Sequence, residues 1–566
     1  MPELSSSRAL CRRSRSGQRS DASGSPDARS LAKKIYIPPF LRAPPPAGSR
    51  DRAKVRGYPP QLIRTNHFFY LGERVKSTMP NYESCMEELR IRTPFTRKVW
   101  RHLADGEIPI CSESDIRDAW RWVEDINRKI KTRSYVPEVV HGYMGIEKNS
   151  GVTRFIPIIS KEDMAVYYHL CGAIGDAVIR DKDRMFGGWR AIPTGQNLRT
   201  LARIRPDEAE ALLFEQNYYA MPFSSAAWFQ QYKNFNELLQ SLVNNSGTGN
   251  YVITTDIANF YDSIDIGRLV RKLRIDAPKL SEHVSLLEIF LGYWNRRTTG
   301  YQQSSKGIPQ EIISDGSRNL SHYYLQDFDD KFDDYCKKKD LIYVRWADDI
   351  LIFGSSVKAL EVAVHNASRM LLYDGLNLNA SKTKCYSRRD FESYRGLRLL
   401  SAISRSDGNA YRRELRAALN WARHNPFKLD TVFRASIGFI SKMGCGATTF
   451  EKNFLQETAK ENPKLIGSLN PSQLNRLISL ADDPIRTFRD FVSYAASYEI
   501  TAPKARILSC IRGQSHNLRK SGISVKTLET AINRLDSSSD ESGIIQAFCT
   551  PATRLSISKA FRRNNP

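Results

Sequence analysis

Apolar residues recur every three or four positions between Ile116 and Ile130, where Ile116, Ala119, Trp120, Val123, Ile126 and Ile130 fall on one side of a helix that Ser112 or Ser114 would cap. Such a stripe predicts core packing, not a site. From about 135 to 200 the pattern shortens into strands and turns. The run Gly145 to Ile158 predicts a hairpin, with Asn149-Ser150-Gly151 as its turn. Residues 246 to 400 alternate short strands with helices, and beyond about 410 helical periodicity returns. Leu415, Ala418, Leu419 and Ala422 share one helical face, and Pro471-Ser472 opens a helix carrying Leu474, Leu477, Ile478 and Ala481. The first 57 residues are rich in Ser, Arg, Pro and Gly and predict a disordered basic tail. The expected fold class is α+β, without internal repeats.

Composition changes this picture in one respect. The chain has 566 residues, enough for several structural units, and a formal net charge of +24. A field of that sign favours polyanions, nucleic acid before anionic membrane. No apolar run is long enough to span a bilayer as a helix. The nine cysteines are scattered, with no Cys-x-x-Cys, and read as reduced thiols of a cytoplasmic protein rather than a zinc site or a disulfide frame. The Arg- and Ser-rich start lacks a secretory apolar core, and Glu3, Asp21 and Asp27 argue against a mitochondrial leader.

The candidate chemistry lies in carboxylates. In Tyr343-Val344-Arg345-Trp346-Ala347-Asp348-Asp349-Ile350-Leu351-Ile352-Phe353-Gly354, apolar residues on both sides of two acids predict strand, tight turn and return strand. Two adjacent carboxylates at such a tip repel unless a cation stands between them. Tyr251-Val252-Ile253-Thr254-Thr255-Asp256 predicts a second strand that ends on an acid. Acids converging from separate elements suit phosphoryl transfer through two metals about 3.5–4 Å apart, and all-oxygen ligands suit magnesium, two ions here, with manganese as an alternative. The pairs Asp329-Asp330, Asp333-Asp334 and Asp482-Asp483 sit in polar, helix-like surroundings and read as solvated faces; Asp262 and Asp265 read as turn or capping residues.

In order along the chain these segments resemble the palm of reverse transcriptases. Asp256-Ile257-Ala258-Asn259-Phe260-Tyr261 resembles the first metal-binding block. Gly307-Ile308-Pro309-Gln310, then Ser317-Arg318-Asn319-Leu320, resembles the second, and Trp346-Ala347-Asp348-Asp349 the third. Leu376-Asn377-Leu378-Asn379 with Ser381-Lys382-Thr383 resembles the fourth, and Tyr394-Arg395-Gly396-Leu397 the primer grip. Gly151, Arg154, Ile156, Pro157 and Asp163 resemble the fingers block around the incoming nucleotide. The resemblance spans about 135 to 400. It implies a right-hand polymerase, with an N-terminal helical region at 58–134, fingers at 135–245, a palm at 246–400 and a helical thumb and C-terminal extension at 401–566.

The resemblance also implies roles. Asp256, Asp348 and Asp349, with the Ile257 carbonyl, would hold the metals. Lys148 and Arg154 would clamp the triphosphate, Gln310 would steady the nucleotide or template base, and Lys382 would give a proton to departing pyrophosphate. Tyr261 would stand beneath the sugar, where a ring collides with a 2′-hydroxyl and favours deoxynucleotides. Two departures stand out: Glu311 replaces the usual glycine after Gln310, and Trp346 replaces tyrosine or phenylalanine. The implied partners are an RNA template, a DNA or cDNA product, dNTPs and a cognate non-coding RNA, with no membrane. With no ribonuclease H constellation or Cys/His endonuclease module in view, the layout resembles bacterial retron and phage-defence (abortive-infection) enzymes, the defence group foremost. Alternatives are a retron or group II intron-type enzyme or maturase with a mainly RNA-binding role, and an RNA-copying RNA polymerase. Arg412, Arg413, Arg416 and Arg423, with Lys559, Arg562 and Arg563, would grip duplex phosphates or simply face solvent, and Trp228, Phe229, Tyr232 and Phe235 would stack on template or pack as core.

Overall fold

The computed structural model describes residues 125–537, except 189–224, 295–306, 310–315, 139–141, 148–151 and single positions at 127, 131, 133, 159 and 181. The basic tail, most of the 58–134 region, Lys559, Arg562 and Arg563 therefore lie outside the described residues.

Strands β1 (Gly142–Glu147) and β2 (Thr153–Ile158) pair antiparallel, Glu147 opposite Thr153, as the hairpin pattern requires. Helix α1 (Lys161–Val178) follows, its first turn capped by Ser160 Oγ accepting from the Asp163 amide at 3.2 Å. Val166, Tyr167, Leu170, Cys171 and Ile174 recur at helical spacing and are buried. They pack toward α2 (Gly316–Lys337), where the Tyr167 hydroxyl meets Ser317 Oγ at 2.7 Å and Gln326 binds backbone at both Val178 and Arg180. The polar groups of Tyr167, Ser317 and Gln326 are thus satisfied across the helix pair.

The central sheet has the order β3-β5-β6-β4-β7 among the described residues. Its middle is antiparallel: β4 (Tyr251–Asp256), β5 (Ile342–Trp346) and β6 (Asp349–Gly354) carry Val252, Ile253, Tyr343, Val344 and Ile350 to Phe353 fully into core. Runs buried on both faces explain why these strands read as nearly continuous apolar stretches. At the edges lie β7 (Lys384–Ser387), antiparallel to β4, and the two-residue β3 (Met185–Phe186), parallel to β5. The helix Ser225–Asn244 covers one face. Its Phe235 packs 5.1 Å from Trp346 and 5.4 Å from Phe186, so Tyr232 and Phe235 are core aromatics rather than a template platform. The side chains of Trp228 and Phe229 lie outside the described residues.

Beyond Leu397 the chain is helical to Asp536 and builds its own core from Leu415, Phe433, Ile437, Leu455, Leu474, Leu477, Leu508 and Ile532, among others. The helix expected at Pro471 runs Pro471–Ser479, opened by a capping box between Asn470 and Gln473. Leu474, Leu477 and Ile478 are buried on it as the spacing requires. This helical body touches the β1–β2 hairpin, where the Tyr498 hydroxyl donates to Glu147 at 2.7 Å.

Candidate active site

Strand register decides which acids meet. β4 and β6 are adjacent and antiparallel, and Asp256 lies directly opposite Asp349, the last residue of one strand against the first of the other. Asp348 occupies the two-residue turn between β5 and β6, since Trp346 pairs with Asp349. Ala347, the other turn residue, has φ of 50°, a left-handed conformation that a small side chain tolerates at modest cost. The turn is tied on both flanks: the Ala347 amide donates to Phe186 O at 2.9 Å, and the Ile257 amide to Asp348 O at 3.2 Å. Gly187 lets the first contact form, because a Cβ there would stand 2.6 Å from the Ala347 nitrogen. Gly187→Ala should therefore lower the unfolding midpoint by several degrees, a cost of about 2 kcal/mol, since its own φ of 97° also resists a side chain. A variant that melts with the parent in a thermal scan would refute the contact.

Asp256 is 3% exposed, and its Oδ1 has no hydrogen-bond partner although it is buried. Its Oδ2 is paired with the Lys382 ammonium. Lys382 reaches it from the turn Ala380–Lys382, which the Asn379 amide anchors to Asp256 O at 2.8 Å, and Thr383 Oγ1 adds a bond to Thr255 Oγ1 at 2.7 Å. Burial alone would lower the Lys382 ammonium, but Asp256, with Asp348 and Asp349 behind it, holds it above its ordinary value and thus protonated at neutral pH. Burial, then repulsion from Asp349 and Asp256, pushes the Asp348 carboxyl up to about 6.

An unpartnered buried anionic oxygen and a carboxyl resisting ionisation mark a site short of positive charge. The donor set is all oxygen and suits a hard divalent cation. Among the described residues no three acidic, histidine or cysteine groups already enclose a single point; Lys382 takes one Asp256 oxygen instead. Asp256, Asp348, Asp349 and Lys382 are thus brought together. The peptides flanking Ile257 bind Asn377 and Asn379, which fixes this segment against the 376–379 loop. Tyr261 is half-buried beside Phe260, its carbonyl accepting from Ile308 at 3.0 Å, while the Gly307 amide donates to Ile264 O at 2.8 Å. The first and second blocks are neighbours through these two bonds. Arg154 lies in β2 opposite Ile146, on the separate two-stranded sheet. Lys148 and Gln310 lie outside the described residues.

One reading from the sequence needs correction. Asp329 is not solvated: it is 1% exposed and holds the fully buried Arg345 through Nε at 2.8 Å and a second nitrogen at 2.5 Å. Asp163, in the fingers-like block, is buried and accepts from the Tyr135 hydroxyl at 2.5 Å and the Glu138 amide at 2.7 Å. Arg412 and Arg416 are partly committed within the helical body, Arg412 to Glu451 at 3.1 Å and Arg416 over the Phe450 ring. Asp265 caps a helix as expected, accepting from the Arg268 amide, and Asp483, read as a solvated face, also caps one, accepting from the Arg486 amide.

Residues 179–411 match a family model described as reverse transcriptase (RNA-dependent DNA polymerase). This stretch is similar to reverse transcriptase domains. It contains both acidic elements, Lys382 and Tyr261, and makes the protein an RNA-directed DNA polymerase, a nucleotidyltransferase whose substrates are an RNA template and dNTPs and whose product is DNA. The polymerase domain implies a palm and fingers, compatible with the α+β architecture. No curated protein matches the chain. Among the described residues no helix is long and apolar enough to cross a membrane.

Beneath the β5–β6 turn, His322 is buried and neutral. Burial first, then the cations Arg345 and Lys182, hold its imidazole well below the ordinary value. Below the unfolded-state value of about 6.5 the unfolded chain takes up a proton that the folded one refuses, so stability falls with pH. The expected loss is about 1.4 kcal/mol per pH unit below that point. His322→Gln keeps an acceptor for Arg345 and should flatten this part of the slope in denaturant titrations at pH 7.5 and 5.0; equal slopes would refute it.

Proposed function

We propose that this reverse transcriptase makes cDNA by two-metal phosphoryl transfer, with Asp256, Asp348 and Asp349 as the metal-holding carboxylates. The observation that carries the reading is the register that sets Asp256 opposite Asp349, with an unpartnered buried oxygen on Asp256. Magnesium bound there would lower the proton affinity of the primer 3′-hydroxyl and neutralise charge on the triphosphate. Lys382, kept protonated by its acidic neighbours, is the donor to the leaving pyrophosphate. Tyr261, whose carbonyl accepts from the Ile308 amide, is in this reading the ring that selects deoxynucleotides. Arg154, with Lys148 and Gln310, completes the nucleotide pocket in this reading, and the helical body from about residue 401 serves as thumb and C-terminal extension.

The cytoplasmic role that fits best is anti-phage defence, templated by a dedicated non-coding RNA. What supports it is the layout: the reverse transcriptase match covers residues 179–411, and a folded helical body continues to Asp536. The net charge of +24 provides for a tightly held RNA. Sequencing the RNA and cDNA that co-purify with the protein tests this. One discrete structured RNA and a matching cDNA are expected, whereas copies of many cellular RNAs would overturn it.

A further inference from the structure

The catalytic turn rests on a buried charge pair whose cost needs a reason. Arg345 is 0% exposed on β5, and Asp329 is 1% exposed on α2. Arg345 gives Asp329 two hydrogen bonds, at 2.8 and 2.5 Å, and Asp329 also accepts from the Tyr343 hydroxyl at 2.8 Å. A second contact of Arg345 goes to His322 Nδ1 at 3.2 Å. Taking two charges out of water is expensive, and an apolar pair of similar volume often stabilises as well. Stability is therefore a poor reason for keeping this pair in the middle of an apolar core.

The remaining bond supplies a better one. Arg345 donates to the Ala347 carbonyl at 2.8 Å, on the peptide that leads into Asp348. The peptide on the other side of Asp348 is held by the Ile257 amide at 3.2 Å. Asp348 thus stands between two pinned peptides, in a turn whose first residue has an unfavourable φ of 50°. The guanidinium reaches in three directions at once: the helix acid, the helix histidine and the turn carbonyl. A lysine ammonium lacks the planar fork that makes this possible.

We propose that Arg345, clamped by Asp329, is a positioning residue that sets the Asp348 carboxylate for divalent-ion binding through the Ala347 carbonyl. This rests on Asp348 being a metal-holding residue. The test measures Mn2+ binding by electron paramagnetic resonance of the full chain, beside kcat and KM for dNTP. In Arg345→Lys, and in the double variant Arg345→Met with Asp329→Leu, which removes both buried charges together, Mn2+ affinity should fall roughly 10- to 100-fold, the range seen when an outer partner of a metal ligand is lost. kcat should fall with it, while KM for dNTP moves far less. A core that merely holds the fold would shift the melting temperature without this split. Wild-type Mn2+ affinity and kcat in either variant would overturn the proposal. Asp348→Asn serves as the control. If it too binds Mn2+ and polymerises normally, the metal-site reading itself fails; if it loses both while the Arg345 variants keep both, only the positioning role fails.

Discussion

Asp348→Asn yields a protein that is more stable than its parent in metal-free buffer and synthesises no DNA. The two effects have one origin. Burial and the charges of Asp349 and Asp256 push the Asp348 carboxyl up to about 6, so at neutral pH its ionised form is held at a cost. Replacing it with a neutral isostere removes that repulsion. The turn retains some solvent contact, so the gain is on the order of 1–2 kcal/mol, visible as a higher unfolding midpoint. Under the proposed two-metal role, saturating magnesium should reverse the order by binding and stabilising the parent alone. Loss of a metal-holding carboxylate costs about 5 kcal/mol of transition-state stabilisation or more, above a roughly 10³-fold fall in kcat on a primed template. A variant within about ten-fold of the parent's rate would sink the two-metal assignment.

The second large effect concerns sugar choice. Tyr261 follows Asp256 by five positions, and its backbone is bonded to the Gly307–Ile308 segment. Tyr261→Ala opens space for a 2′-hydroxyl, so the ratio of kcat/KM for dNTP over NTP should fall roughly 10²-fold, about 3 kcal/mol, mostly through faster NTP entry. Because the ring is half-buried against Phe260, the variant also loses about 2 kcal/mol of stability, and activities must be compared well below its melting point. An unchanged ratio would return Tyr261 to plain core packing.

The acid-bearing strands are legible in the sequence because both their faces are buried. Apolar runs that end on acids require a cation or a buried partner at their tips, and the tight turn at Ala347-Asp348 follows from the short spacing between those runs. Pairing is less accessible. Nothing local says that Asp256 faces Asp349, 93 positions further along the chain; the order of blocks supplies that through resemblance. Asp329 reads as solvated because Asp330 and a polar helix surround it in sequence. A contrary signal is nonetheless present: Leu325, Asp329, Phe332 and Cys336 follow helical spacing, so Asp329 interrupts an apolar stripe. Likewise Arg345 is a single cation inside an apolar strand, and such a residue demands a buried acid somewhere. Periodicity identifies the face but leaves the partner to tertiary contact.

Met185 and Phe186 add only two residues to the sheet, yet the Phe186 carbonyl is what receives the Ala347 amide. Met185 is paired with Arg345, 160 positions further on. Bringing such remote segments together is slow compared with closing the β5–β6 hairpin, because the chain entropy of a long loop must be lost before the contact gives anything back. During synthesis the edge strand emerges early and waits. The polymerase should therefore acquire its secondary structure well before it acquires competence to catalyse, and refolding followed by circular dichroism should run ahead of recovered DNA synthesis.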